Sequence, residues 1–412
     1  MSKIIPFKAV RPTRDKVSLV AARSYQSYTK EQLESRLRDN PFSFLQIVNP
    51  GYRFDKEISG EARYSLVKNR YLEFIEDKIF VQDEKPSYYI YKIVDREHQV
   101  FNGIIAATSA LDYENNVIKK HEDTIAYREI IFKDYLKTVG FNAEPVLLTY
   151  PDNTVIDSII KETQKERAEF EFTTTYRDTH YLWKVDNPVT IETIQTEFAN
   201  IPTIYIADGH HRSASSYLLH KDLKAANPNH QGHEEYNFFM SYLIPESDLQ
   251  IHAFNRLIKD LNGLTKEEFL IQLDAFYRIE NRGEIPYHPS KKHHFSMYLD
   301  GDFYSLYLRK TIYNMETSLD SLDSQILYKT ILNPILGIED LRNDQRITYI
   351  NGKKDLVNIK SHVDNGEFKV GFVMLPVSVE EMKQIANDGL KMPPKSTYIE
   401  PKLRSGVTIY EF

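Results

Sequence analysis

Pro202-Thr203-Ile204-Tyr205-Ile206-Ala207-Asp208-Gly209-His210-His211-Arg212-Ser213-Ala214-Ser215-Ser216-Tyr217 reads as a buried strand that breaks at Asp208-Gly209 and turns at once into a helix. His210, His211 and Arg212 then fall in the first helical turn. Such a junction can hold phosphate, because unpaired N–H groups and the positive end of the helix dipole face the same point. Gly209 lacks the Cβ that would keep a phosphate oxygen from the backbone. Arg212 adds a planar fork suited to two phosphate oxygens, and the histidines can donate hydrogen bonds or take a proton. The plainer reading makes Asp208 an N-cap, Gly209 a tight turn and the histidines a solvated helix start. Four polar, chemically capable residues in a row after an apolar strand favour the phosphate site.

Composition bounds the rest. With 412 residues, 41% of them hydrophobic and 12% aromatic, the chain can bury one large core or two moderate ones. The absence of cysteine excludes disulfides, a cysteine nucleophile and thiolate metal sites, and it fits a reducing compartment. A net charge of −7 gives no global pull toward nucleic acid or anionic membrane. The start, Met1-Ser2-Lys3-Ile4-Ile5-Pro6, has no long apolar run, and no later segment approaches the roughly 20 apolar residues of a membrane span. The expectation is a soluble, cytoplasmic protein with no nucleic-acid or membrane partner. The pattern sets no oligomeric state.

Helical and strand patterns alternate along the chain without repeats or low-complexity tracts. Thr29 and Gln32 form a capping box for a helix through Leu33 and Leu37. Val67, Tyr71, Phe74 and Ile75 make one helical stripe, ordinary core-facing amphipathicity. Residues 88–94 and 100–108 read as a hairpin joined by Asp95-Arg96-Glu97-His98. A strand at 145–150, a helix through Ile156 and Ile160, a hairpin over 170–185 and a helix bearing Ile191, Ile194 and Phe198 lead to the strand before Asp208. Further on, strands are expected at 238–244, 294–309 with a turn at Asp300-Gly301, and 370–375. Helices are expected at 266–276, 319–332 and 379–388. Hairpins outnumber helical crossovers, so the fold class is α+β, with mixed sheets and flanking helices. The chain reads as a single unit over 1–412, with a weak internal boundary at 227–235.

Two further polar clusters stand in well-patterned surroundings. Ile118-Lys119-Lys120-His121-Glu122-Asp123-Thr124 precedes a helix through Ile130 and Tyr135. A lone carboxylate there would only complement the helix dipole, but Lys119 and Lys120 add cations for phosphate, and Glu122 a carboxylate able to deprotonate an alcohol. The second cluster runs Met392-Pro393-Pro394-Lys395-Ser396-Thr397-Tyr398-Ile399-Glu400-Pro401-Lys402-Leu403-Arg404-Ser405-Gly406. Its prolines fix an extended loop, giving its lysines and hydroxyls a defined direction; the alternative is a solvated charged loop.

These stretches carry a resemblance. With Arg11-Pro12, Asn40-Pro41-Phe42-Ser43-Phe44-Leu45 and Leu336-Gly337-Ile338, they make the chain resemble, nearly end to end, the bacterial family called domain of unknown function 1015 (DUF1015), whose members look like free-serine kinases. The resemblance implies a nucleotide-binding core similar to the ParB/sulfiredoxin superfamily, in which a Gly-led helix start with a terminal Arg grips nucleotide phosphates. Asp208, Gly209, His210, His211 and Arg212 fall on that motif, and Glu122 falls on the carboxylate that looks like the base for the serine hydroxyl. Many relatives carry Pro-Pro-Tyr-Asp where this chain reads Ala22-Arg23-Ser24-Tyr25-Gln26, so a substrate contact there would differ.

The implied reaction moves a phosphoryl group from ATP or ADP to the hydroxyl of free L-serine, which needs charge neutralisation and in-line alignment. Arg212 and the helix-start amides would hold the terminal phosphates. His210, His211, Lys119, Lys120, Lys395, Ser396, Thr397 and Lys402 are further candidate contacts. Mg²⁺ is expected, with Asp208 the candidate ligand, and Glu122, Asp208 and His210 are the candidate catalytic groups. The runner-up is a nucleotide-gated binding protein that uses the same motif as a switch. A DNA clamp would want a basic patch and a recognition helix. A metal hydrolase on His121, His210 and His211 lacks a recognised ligand spacing.

Overall fold

The computed structural model describes residues 1–353 and 356–412, and the chain divides into two compact units. The first comprises 1–119, 124–249 and 401–412, the second 120–123 and 250–400. Among the described residues no helix is long and apolar enough to cross a membrane.

The first unit is built on a nine-stranded mixed sheet. From one edge its order is Ile118–Lys119, Ile204–Asp208, Val146–Tyr150, Phe238–Pro245, Val100–Ser109, Tyr88–Val94, Thr179–Val185 and Phe170–Thr173, with Ile4–Ile5 pairing beside Val100–Ser109. Ile204–Asp208 runs parallel to Ile118–Lys119 and antiparallel to Val146–Tyr150, which in turn lies parallel to Phe238–Pro245. Ile104, Ile105, Ala106 and Ala107 are buried in succession, because both faces of the sheet's middle are covered. One core joins Ile90, Ile104, Leu148, Ile206 and Leu243 to Ile156, Ile160, Ile194 and Phe198 of helices Thr154–Thr163 and Pro188–Ala199. Asn153 and Asn187 cap these helices, and Pro188 sits at the first helical position, where its missing N–H costs nothing. A second core gathers helices Lys30–Asp39 and Gly60–Glu76, whose stripe Val67, Tyr71 and Phe74 meets Phe80, Phe141 and Ile409.

The second unit carries a six-stranded antiparallel sheet, ordered Tyr277–Gly283, Asp302–Leu308, His294–Leu299, Val370–Val373, Phe254–Ile258 and Ile347–Asn351. Gln250–His252 pairs with Tyr398–Glu400. Phe269 and Leu273 of helix Lys266–Asp274 pack with Phe295, Met297, Leu306 and Phe372.

The α+β architecture and its hairpins agree with the sequence. Two expectations need correction. The helix expected over 319–332 begins only at Asp323 and passes into a π-helical turn, Tyr328–Leu332. Thr317 and Asp320 close a separate turn with reciprocal bonds, and Leu322 is extended at φ −74°, ψ 132°, so the helix begins only after it. The polar stretch 227–235 lies inside the first unit, and the chain passes to the second at Leu249–Gln250. Glu234 closes that stretch on itself, accepting from the backbone N–H of Gln231 and Gly232 and from Asn237 Nδ2, so its polarity marks a bonded loop.

Candidate functional site

Strand Ile204–Asp208 is buried through Ala207, and its register with Val146–Tyr150 slips between Ile206 and Asp208, a bulge that bends a strand where pairing ends. Gly209 then takes φ +104°, the left-handed region that favours glycine, and this step converts strand to helix. Helix His210–Ala226 follows for 17 residues, and its N-cap provides no side-chain cap. Its first backbone bond runs from Ser213 N–H to the Gly209 carbonyl, 3.0 Å. The break at Asp208-Gly209 and the placement of His210, His211 and Arg212 in the first turn are as the sequence indicates.

The Arg212 side chain folds back over this turn. Its Nη1 donates to the Pro145 carbonyl at 3.0 Å and lies 2.8 Å from Glu144 Oε1, while Nη2 donates to Asp208 Oδ2 at 3.2 Å. A Cβ at position 209 would stand 3.0 Å from Arg212 Nε. The room left by glycine is therefore taken by the chain's own guanidinium, where the sequence reading expected a path for phosphate. Asp208 Oδ1 faces Lys402 Nζ at 3.6 Å, and the Asp208 side chain is 43% exposed. Burial pushes the Asp208 carboxyl up, but Lys402, then Arg212 and His210, outweigh it and hold it below the ordinary carboxylate value.

His210 is buried, whereas His211 is half-buried with its ring edge-on to Phe132 at 6.4 Å. Lys119 is half-buried on the edge strand Ile118–Lys119. The first unit thus brings Asp208, Gly209, Arg212 and Lys402 together. Glu144 and the Pro145 carbonyl, absent from the sequence reading, belong to the same cluster. They precede the neighbouring strand, and only knowledge of that strand pairing could have found them.

The second unit holds the remaining candidates. The Lys120 and His121 carbonyls accept from Lys391 Nζ and the Met392 N–H, both at 2.9 Å. His121 is fully buried and Glu122 half-buried. Lys395 is exposed, with φ +58° and its amine 5.2 Å over the Phe254 ring. Ser396 and Thr397 are buried, and the Ser396 hydroxyl donates to the Pro393 carbonyl at 2.7 Å and lies 2.9 Å from Ser324 Oγ. That hydroxyl ties the loop to its own unit.

No curated protein matches the chain in sequence. Among solved structures, a free serine kinase in complex with AMP is 14% identical, with 74% of this chain and 91% of that one covered and a TM-score of 0.34. SbnI with a C-terminal truncation, from Staphylococcus aureus, is 12% identical over 74% and 85% of the two chains, TM-score 0.38. A conserved hypothetical protein from Pyrococcus furiosus is 13% identical over 74% and 93%, TM-score 0.33. The family described as Protein of unknown function (DUF1015) matches residues 4–325, and the chain belongs to it.

Proposed function

We propose that the chain is a small-molecule kinase that moves a phosphoryl group from ATP or ADP to the hydroxyl of free L-serine, giving O-phosphoserine. The observation that carries the reading is the Gly209-led helix start, where φ +104° turns a buried strand into a 17-residue helix beside Arg212 and Lys402. The family resemblance of the Asp-Gly-His-His-Arg and Lys-Lys-His-Glu stretches supplies the reaction and a core of ParB/sulfiredoxin type.

In this mechanism the terminal phosphate meets the positive end of the helix and the Arg212 fork. Arg212 bears two carboxylates at rest, Glu144 and Asp208, and the phosphate replaces the Asp208 contact, leaving that carboxylate to Lys402. Glu122, assigned from the resemblance, takes the serine proton as the serine oxygen bonds to the terminal phosphorus. The bond from that phosphorus to the bridging oxygen breaks, and the shortened nucleotide leaves with the electron pair. Mg²⁺, when bound with the nucleotide, would supply charge neutralisation to the phosphates. At rest both Asp208 oxygens face cations, Arg212 and Lys402, and Lys402 stays with the carboxylate when phosphate takes Arg212, so no metal contact is drawn from Asp208.

Incubation with L-serine, Mg²⁺ and ATP or ADP tests the reading by mass detection of O-phosphoserine. If nucleotide binds and no amino acid or small alcohol in a panel is phosphorylated, the kinase reading fails and the nucleotide-gated switch replaces it.

A further inference from the structure

A buried guanidinium is costly unless a counter-charge and acceptors are buried with it. Arg11 satisfies this with Asp83, at 2.8 and 2.7 Å, and Arg404 with Asp178. Arg256 does not. It sits on strand Phe254–Ile258 of the second unit, 1% exposed, and among the described residues no carboxylate lies within ion-pair distance of it. Its Nη1 donates to the carbonyl of Phe254, two residues back on the same strand, and its Nε has no hydrogen-bond partner. The guanidinium carbon lies 4.8 Å from the centre of the Tyr349 ring.

The register shows what surrounds it. Tyr349 stands opposite Arg256 and Asn351 opposite Phe254, on the sheet's edge strand. Register partners, and residues two apart, share a face, so Phe254, Arg256, Tyr349 and Asn351 project together. Asn351 Oδ1 is a second buried polar atom without a partner. Lys395 approaches this group over the Phe254 ring, its backbone in a conformation that a lysine enters only at a cost.

We propose that Arg256 is the centre of an oxyanion-binding site in the second unit, taking a phosphate or carboxylate group, with Lys395 as a second cation and Asn351 accepting from a hydroxyl of the same ligand. One oxyanion gives both the missing counter-charge and an acceptor for Nε. Burial pulls the guanidinium down to about 10, against Tyr349, so it remains charged at neutral pH and keeps its demand for an anion. The site stands whether or not serine is the acceptor of the reaction proposed above.

Calorimetric titration of the full chain with inorganic phosphate, and separately with acetate, tests it. Both titrations are repeated in an Arg212→Gln chain, which lacks the helix-start fork, so that failure there and failure at Arg256 are told apart. At least one anion should bind in that background, and Arg256→Gln should weaken it by about tenfold or more, as loss of a charge-assisted fork implies. Should Arg256→Gln not fold, the surface change Lys395→Gln decides by the same weakening. Binding of phosphate alone assigns a phosphoryl ligand, and of acetate alone a carboxylate. Binding of neither anion in the Arg212→Gln chain, or binding unchanged in the deciding variant, overturns the site.

Discussion

Arg212 and Asp208, four residues apart on either side of Gly209, are joined by an Nη2–Oδ2 contact of 3.2 Å, so the helix start is closed on itself. Glu144 completes the closure from the neighbouring strand's approach, 2.8 Å from Nη1. In the proposed reaction a ligand phosphate would exchange one anion for another on Arg212, and its net gain would be smaller than the contact alone would give. Selection of phosphate over the resident carboxylates would then rest on its higher charge and on its access to the N–H groups at the helix start.

Removal of the fork should still be felt. Arg212→Ala is expected to weaken nucleotide binding by at least about tenfold, equivalent to about 1.4 kcal/mol. Calorimetry on the folded variant checks it, and unchanged affinity removes Arg212 from the site.

Gly209→Ala should damage stability and binding together. An L-residue at φ +104° is strained, at a cost of order 1–3 kcal/mol, and the new methyl would stand 3.0 Å from Arg212 Nε and displace the guanidinium. Urea unfolding should show the loss, and nucleotide titration a fall in affinity; a variant equal to wild type in both would mean that neither strain nor Arg212 placement matters.

How far the sequence revealed this can be traced to particular residues. Thr29 with Gln32 and Asp300-Gly301 signalled their elements because a cap and a two-residue turn are local chemistry, complete within four residues. Asp208-Gly209-His210 was legible for the same reason. Glu144 was not, because it meets Arg212 through the pairing of two strands whose register partners lie 56 to 61 residues apart in sequence. Arg256 gave no signal either: a lone arginine in an apolar strand reads as surface until its burial is known. At 319–332 apolar periodicity suggested one helix, but the backbone is extended at Leu322 and the helix begins only at Asp323.

Asp323 should make the protein less stable as pH rises. Burial lifts its carboxyl to about 7, against the His293 N–H that donates to Oδ1 at 2.8 Å, and Oδ2 has no partner. With the folded value raised, the unfolded chain loses this proton first, so stability present below pH about 4 is lost up to pH about 7. Asp323→Asn should remove that slope and be the more stable chain at pH 8, by about 1 kcal/mol or more, in denaturant titrations at pH 4 and 8. A variant no more stable at pH 8 than wild type would refute it.

His180 should act in the opposite direction. Burial, then Arg404, lowers it to about 3, and its Nδ1 bonds the Tyr91 hydroxyl at 2.8 Å between the Phe172 and Tyr91 rings. With the folded value depressed, its contribution is complete above pH about 6.5 and declines below, with a slope of up to about 1.4 kcal/mol per pH unit. His180→Phe keeps the stack and should flatten the acid limb of the stability profile; an unchanged limb would place the acid sensitivity elsewhere.

The last expectation separates chemistry from binding. A general base acts only in the transition state and contributes typically about 10²- to 10⁴-fold, so Glu122→Gln should lower kcat by that order and leave nucleotide affinity near wild type. Glutamine keeps the size and polarity of the side chain, and Glu122 is half-buried, so folding should be little affected. Turnover and nucleotide titration on the same preparation give the split between kcat and affinity. If kcat stays near wild type, Glu122 does not carry the proton, and Asp208 becomes the next carboxylate to replace; its loss would also release Arg212, so Asp208→Asn should move affinity as well as turnover, a signature that Glu122→Gln cannot give.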